Sequence, residues 1–370
     1  MRKVISGILA VLSLTFVSCR GKKVPAQSFI CMDTVCSVNL YEDGTEKIYK
    51  EISDRLLKIE KTFSATDLES FTYKLNKTGS VKTAAAEFSD FYSLYFPSWI
   101  VSSLSDGAFD ISVNPLIQLW DIKSENPKVP APDDIEEVLS KVNWKNLPEC
   151  KMSGGDSVPE TFSFGKEGMS INFGAVAKGY AADCICGILR RNKVRKAIID
   201  LGGNIYCFGK KENGKPWTVG IKNPENPGGS PLLKLATEQT SVVTSGTYER
   251  FFEEDGKKYH HIMNPKTGYP VDNGLSSVTI ICPSSLAADT YSTTFFVLGQ
   301  EEALRGLSDF EKVFATNLEA VFVYNDGSVS ATPGLKGKLD FYGDADGRKI
   351  NFIQDVKHFD VTTAFGGGQF

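Results

Sequence analysis

Histidine is scarce in this chain, with three residues in 370: His260, His261 and His358. A zinc centre built on several imidazoles therefore has too few ligands. Cysteine offers little more. Eight occur, at 19, 31, 36, 150, 184, 186, 207 and 282, and no pair has Cys-x-x-Cys spacing. With Cys19 set aside, an odd number remains, and their scatter suits buried apolar thiols better than a disulfide framework. Positive charge is also in short supply. Without Arg2 and Lys3 the chain carries 39 basic against 45 acidic residues, a net charge of about −6. That balance argues against nonspecific nucleic-acid binding, which needs clustered Lys and Arg. After the N-terminal stretch no apolar run is long enough to cross a bilayer as a helix.

The N-terminus has its own pattern. Arg2 and Lys3 precede an apolar run from Val4 to Val17, and Ser18-Cys19 closes it. A short apolar core ending in a small residue and then Cys reads as a lipoprotein export signal. Residues 1–18 are thus expected to be a signal peptide, Cys19 the lipidated residue, and 19–28 a tether. A plain secretory signal or an N-terminal anchor is the alternative. Residues 29–370 are expected to form one domain. If the ligand is a phosphate, an acidic protein needs a cation to hold it.

Periodicity gives a coarse outline. A strand is expected from Phe29 to Tyr41, and helices over Ile48 to Phe63 and Ser89 to Ser105. Residues 123–134 read as a loop. A strand over Met169 to Phe173, a helix over Val176 to Arg191 and a strand over Lys196 to Leu201 follow. Further strands are expected at Trp217 to Ile221, Thr240 to Thr244 and Ser276 to Ile281. A helix from Leu286 to Leu298 is bounded by Ser284 or Ser285 and Gly299. Strands and helices mix without βαβ alternation, which favours α+β.

Three segments carry chemistry. In Asn172-Phe173-Gly174-Ala175-Val176-Ala177-Lys178-Gly179, a tight turn leads into a helix whose N–H groups and Lys178 suit a phosphate. Asp289 and Thr293, four apart on a helix, share a face and offer two oxygen ligands of the kind Mg²⁺ prefers. In His260-His261-Ile262-Met263-Asn264-Pro265-Lys266-Thr267-Gly268-Tyr269-Pro270, the prolines and glycine stiffen a loop that could aim a histidine at a hydroxyl. Read singly, each has a bland explanation: helix packing, a solvated helix charge, a backbone-satisfied histidine.

In order along the chain, these segments resemble the ApbE family of FAD:protein FMN transferases. The other marks are Met32-Asp33-Thr34, Phe63-Ser64, Leu75-Asn76, Gly107-Ala108-Phe109-Asp110, Asn114-Pro115-Leu116, Gly202-Gly203-Asn204 and Thr244-Ser245-Gly246. The likeness is nearest to lipoprotein flavin-trafficking members. It implies an α+β, T-fold-related, two-lobed single catalytic unit with FAD as substrate and Mg²⁺ as the ion. It places FAD against Met32, Ala108, Phe109, Asp110, Asn172, Lys178 and Met263. It places Mg²⁺ on the carbonyl of Ala175 and the side chains of Asp289 and Thr293. His261 is the candidate general base, and Asp289 is essential to catalysis through the metal. Three positions depart from the family: Asp33 stands for Gly, Asn172 for a frequent Asp, and Ser292 for a carboxylate found in some members.

The resemblance also implies a lipid-anchored protein on the periplasmic face of the inner membrane. Its partners would be exported or membrane-embedded redox proteins that accept FMN on a Thr or Ser hydroxyl, with AMP released. An FAD diphosphatase yielding FMN and AMP, or a non-catalytic flavin-binding lipoprotein, are the alternatives. Asp326-Gly327-Ser328-Val329-Ser330-Ala331-Thr332 loosely echoes the acceptor motif Asp-Gly-x-Ser/Thr-Gly-Ala/Ser-Thr, and so raises self-flavinylation at Thr332.

Overall fold

The computed structural model describes residues 24–84, 86–149, 160–345 and 347–360. The leader and Cys19 lie outside them. Nine strands form the central sheet, and their order across it is their order along the chain: Gln27–Cys31, Thr34–Asn39, Ala197–Leu201, Asn204–Phe208, Thr240–Gly246, Leu275–Cys282, Glu319–Tyr324, Val329–Ala331 and Ile350–Phe352. Every neighbouring pair is antiparallel except the last.

Side chains alternate across this sheet. Val243, Val278, Ile280 and Phe322 point into the large core beneath the helices. Val242, Ile281, Val321 and Val323 point the other way, against a three-stranded sheet of Trp217–Ile221, Leu233–Thr237 and Leu339–Phe341. Leu275–Cys282 is buried throughout because both faces are covered. A smaller cluster of Leu116, Trp120, Ile135, Val142 and Met263 sits under the His260–Pro270 loop. The architecture is α+β.

Two helices matter for the site, Ala177–Arg191 and Ser285–Leu298, which pack on each other and on the sheet. The second starts where Ser284 Oγ accepts from Ala287 N at 3.2 Å and ends at Gly299, φ 78°. Among the described residues no helix is long and apolar enough to cross a membrane.

Two expected strands are corrected. Phe29 to Tyr41 is not one strand but a hairpin, Gln27–Cys31 paired with Thr34–Asn39. Its turn is Met32-Asp33, with φ 51° and 57°. Both central residues in the left-handed region make the turn that matches strand twist, and no glycine announces it. Met169 to Phe173 forms no strand. Asn76 acts there as a substitute ladder: its Nδ2 donates to Ile171 O and its Oδ1 accepts from Ile171 N, both at 2.8 Å. The loop expected over 123–134 yields at its end to the helix Pro132–Leu139, with Pro132 at its first turn.

Candidate active site

A cavity of about 620 Å³ opens between the helices, the hairpin turn and the His260–Pro270 loop. That lies within the roughly 300–1,000 Å³ of cofactor and small-molecule sites. Met32, Ala108, Phe109, Asp110, Asn172, Ala175, Lys178, His261, Met263, Asp289 and Thr293 all line it. Residues up to 261 positions apart in sequence are thus gathered on one surface.

Its floor is the contact between the two helices. Gly179 N donates to Asp289 Oδ2 at 2.7 Å. A Cβ at Gly179 would come within 2.3 Å of Ser285 O and 2.7 Å of Asp289 Cβ, so the approach requires glycine. Asp183, one turn further on, receives Ser284 Oγ, Ser285 N and Leu286 N at 2.9–3.0 Å and so binds the start of one helix to the side of the other. Asp289 is 4% exposed, and burial raises its pKa, opposed by Lys178 and the Gly179 N–H. Thr293 Oγ1 lies 3.1 Å from Ser245 Oγ, which also meets Ser292 Oγ at 2.9 Å.

Sequence reading passed over Asn204 as a functional side chain. Its Oδ1 accepts from Ser285 Oγ at 2.9 Å, while its buried Nδ2 faces the Asp289 carboxyl without a hydrogen bond of good geometry. Tyr248 Oη is likewise buried, facing Ser277 without a hydrogen bond of good geometry, and both Asn204 and Tyr248 line the cavity. Unsatisfied buried polar atoms are costly and point to a polar occupant. Among the described residues no three His, Cys, Asp or Glu converge on a point. The donors available are one buried carboxylate, a hydroxyl and a carbonyl, all hard oxygens. That set fits a magnesium-like cation that completes its shell with water and phosphate, and poorly suits zinc.

The helix start at Ala177 has no side-chain cap. Two of its N–H groups are already engaged, Ala177 N with Phe173 O at 2.8 Å and Gly179 N with Asp289. The helix start thus has fewer free N–H groups to offer an anion than the sequence suggested. Lys178, half-buried, is the cation facing it.

The two adjacent histidines separate in role. His260 is buried with Nε2 2.8 Å from Val271 O and Nδ1 accepting from Ile262 N at 3.3 Å. Both its nitrogens are spent. His261 Nδ1 lies 3.3 Å from Arg250 O. A carbonyl can only accept, so Nδ1 carries the hydrogen and Nε2 keeps a free lone pair. Desolvation, His260 and Arg250 hold the His261 pKa down at about 3. The partly buried ring lines the cavity, and it is neutral at physiological pH. Its loop is stiff: Asn264 N donates to Tyr269 O, Gly268 N to Asn264 O, and Trp120 Nε1 to Gly268 O, at 2.8–2.9 Å.

Asp110 differs from a free ligand-binding carboxylate. Oδ1 accepts from Ser112 N and Oγ and Oδ2 from Trp144 N, at 2.7–2.9 Å, and burial pushes its pKa up to about 6. It shapes the wall that presents Ala108 and Phe109. Asn172 suits its place as an amide: Nδ2 donates to Asn114 Oδ1 at 3.0 Å and Oδ1 accepts from Gly174 N at 2.7 Å. An aspartate could not make the first bond. Asp33 pairs with Lys123 at 2.6 Å, and both stand at the exposed rim of the cavity. Thr332 is fully buried, with Oγ1 bonded to Glu319, so the echo of an acceptor motif is a strand and not an exposed substrate.

Fold and cavity together define an α+β protein with a single-carboxylate oxygen site and a poised imidazole in one deep cleft. The ApbE family model matches residues 32–317. A protein of Treponema pallidum named FAD:protein FMN transferase is 32% identical over 350 residues, 90% of this chain and 94% of that one. One of the same name from Haemophilus influenzae is 29% identical over 314 residues, covering 82% and 90%. The solved ApbE protein of Thermotoga maritima matches at a TM-score of 0.71 and 29% identity, over 84% of this chain and 97% of that one. For the apo flavinyl transferase ApbE of Pseudomonas stutzeri the values are 0.68, 26%, 83% and 93%. The chain belongs to the ApbE family.

Proposed function

We propose that this protein is an FAD:protein FMN transferase that uses Mg²⁺ and moves FMN from FAD to a Ser or Thr hydroxyl of exported or membrane-embedded redox proteins, releasing AMP. The observation that carries this reading is the convergence of Asp289, Thr293, Lys178 and the free Nε2 of His261 on one cavity. The names of the relatives support it.

The hydroxyl oxygen forms a bond to the FMN phosphorus and gives its proton to His261 Nε2. The phosphoanhydride bond breaks, and its electron pair leaves on AMP. Lys178 and the helix start face the diphosphate, and the Asn204 Nδ2 offers it a further donor. Asp289, Thr293 and the Ala175 carbonyl would hold Mg²⁺, which supplies charge neutralisation at the phosphorus and a template for the diphosphate. Met32, Phe109 and Met263 give the flavin apolar surface, with Ala108, Asp110 and Asn172 shaping the wall beside them. The diphosphate's negative charge raises the His261 pKa toward the useful range. Water in place of the hydroxyl turns the same step into FAD hydrolysis. Localisation follows from the leader: Cys19 is lipidated, and the domain hangs from the periplasmic face of the inner membrane.

The test incubates the purified protein with FAD and a peptide carrying the acceptor motif, with and without Mg²⁺ and beside Asp289→Ala. Mg²⁺-dependent AMP release with flavin on the peptide, lost in the variant, is expected. Free FMN instead would make it a diphosphatase. Intact bound FAD in every tube would overturn the enzyme reading.

A further inference from the structure

Cys31 and Cys36 are 5% and 0% exposed, and their Sγ atoms lie 3.2 Å apart. The Cys31 thiol donates to the Cys36 sulfur, which draws the two sulfurs closer than the about 3.5–4.0 Å of ordinary nonbonded packing and leaves them side by side with nothing between. They belong to opposite strands of the Gln27–Cys31/Thr34–Asn39 hairpin. Cys31 stands opposite Thr34, and Cys36 is two residues further along the same face. The spacing in sequence hid this, because a single strand over this region would set the two side chains on opposite faces.

Between them is the Met32-Asp33 turn, with both residues in the left-handed region and both lining the cavity. The hairpin is the edge of the sheet. On its outer face Ile30 and Val35, paired across the strands, are 89% and 65% exposed. The hairpin is held by its inner face, where the thiols meet, and by the pairing of Thr34–Asn39 with Ala197–Leu201, while Gln27–Cys31 has no strand beyond it. An edge element with one packed face opens more readily than the core, which gives a disulfide donor access to otherwise buried sulfurs.

We propose that Cys31 and Cys36 form a disulfide that staples the turn at the rim of the cavity. One Cys thiolate attacks a sulfur of an incoming disulfide, small-molecule or protein, and displaces one thiolate of the donor. The second Cys thiolate then attacks the mixed disulfide at the first Cys sulfur. The Cys31–Cys36 bond forms and the donor's second thiolate leaves. The two cysteines lose two electrons and two protons, and the donor, reduced to two thiols, takes them up. Closing the bond shortens the contact to about 2.05 Å. The ring then encloses two residues that an L-amino-acid chain adopts in this conformation only at a cost. Reduction lets the turn relax, and binding at the rim weakens in proportion to the competent fraction.

The test treats the full chain with oxidised glutathione, quenches it in acid, denatures it, alkylates free thiols and maps the peptides. The expected result is a bridge between residues 31 and 36 that dithiothreitol reverses, with a melting temperature several degrees higher when oxidised. FAD binding, measured by fluorescence with Mg²⁺, should weaken roughly threefold on reduction. This binding arm rests on the flavin reading above, while the bridge itself does not. Cys31→Ser should abolish the mapped bridge and both oxidant-induced shifts. Cys36→Val provides the same control if the serine variant folds poorly. Free, alkylatable Cys31 and Cys36 in folded, oxidant-treated protein, or a bridge mapped elsewhere, overturns the proposal. A bridge that leaves FAD affinity unchanged overturns its coupling to the cavity. A bridge in a protein that binds no FAD at all would instead sink the flavin reading.

Discussion

Replacing Gly179 with alanine puts one methyl group where two helices touch. The added Cβ would lie 2.3 Å from Ser285 O and 2.7 Å from Asp289 Cβ. Neither obstacle can swing aside, since Ser285 O is backbone and its helix start is tied to Asp183 by three hydrogen bonds. The helices must part, at about 1–3 kcal/mol for overpacking. Parting also lengthens the 2.7 Å bond from Gly179 N to the Asp289 carboxylate, and a bond to a charged group is worth about 1.5–3 kcal/mol. Alanine's better helix propensity returns roughly 0.5–1 kcal/mol. The net loss is about 1.5–5.5 kcal/mol, or roughly 3–22 °C in melting temperature, and on the proposed function AMP release with Mg²⁺ falls alongside. Gly187→Ala in the same helix is the control. Its Cβ would meet only Arg191 Nη1, at 3.6 Å, so it should gain about 0.5–1 kcal/mol. Paired thermal melts and activity assays read both. A Gly179→Ala protein that melts at or above the parent temperature and keeps full activity would refute this account of the helix contact.

Other perturbations separate stability from chemistry. Asp289→Asn replaces a carboxyl whose charged form burial disfavours, so without Mg²⁺ the variant should melt at or above the parent temperature at neutral pH, while on the proposed function AMP release falls about 100-fold or more. A large drop in stability would contradict the burial argument. Asp183→Ala leaves Ser285 N and Leu286 N uncapped and should cost about 1–3 kcal/mol in denaturant unfolding while raising the Mg²⁺ concentration needed for activity. His261 has its folded pKa depressed to about 3 from an ordinary value of 6.5. Its contribution to stability is therefore present above pH 6.5 and is lost as pH falls toward 3, about 2 kcal/mol by pH 5. His261→Gln should lack that component when urea midpoints at pH 7.5 and 5 are compared, and an unchanged pH slope would remove the buried neutral imidazole from the argument.

Much of the molecule is legible in one dimension because local periodicity writes it there. The helix Glu46–Phe63 buries Ile48, Ile52, Leu56, Ile59 and Phe63 at helical spacing, and Ser284 and Gly299 bracket Ser285–Leu298 in the sequence as in space. Asp289 and Thr293 share a face whatever the helix packs on, since four residues make about one turn. The stiff loop around His261 is likewise announced by Pro265, Gly268 and Pro270. Tertiary structure decided what local pattern could not. The hairpin turn at Met32-Asp33 carries no glycine, so its two positive φ angles come from strands pairing on either side. The extended segment before Gly174 looks like a strand, but it is held by the distant Asn76 side chain and by bonds with Ile111 and Asn114 in place of a neighbouring strand. His260 and His261 are neighbours in sequence, and only the carbonyls they meet tell the spent ring from the poised one. The same holds for the contact of Cys31 with Cys36, for the buried amide of Asn204 and for the glycine at 179. Sequence spacing sets which faces residues share along one element; which elements meet, and how closely, depends on packing between segments a hundred or more residues apart.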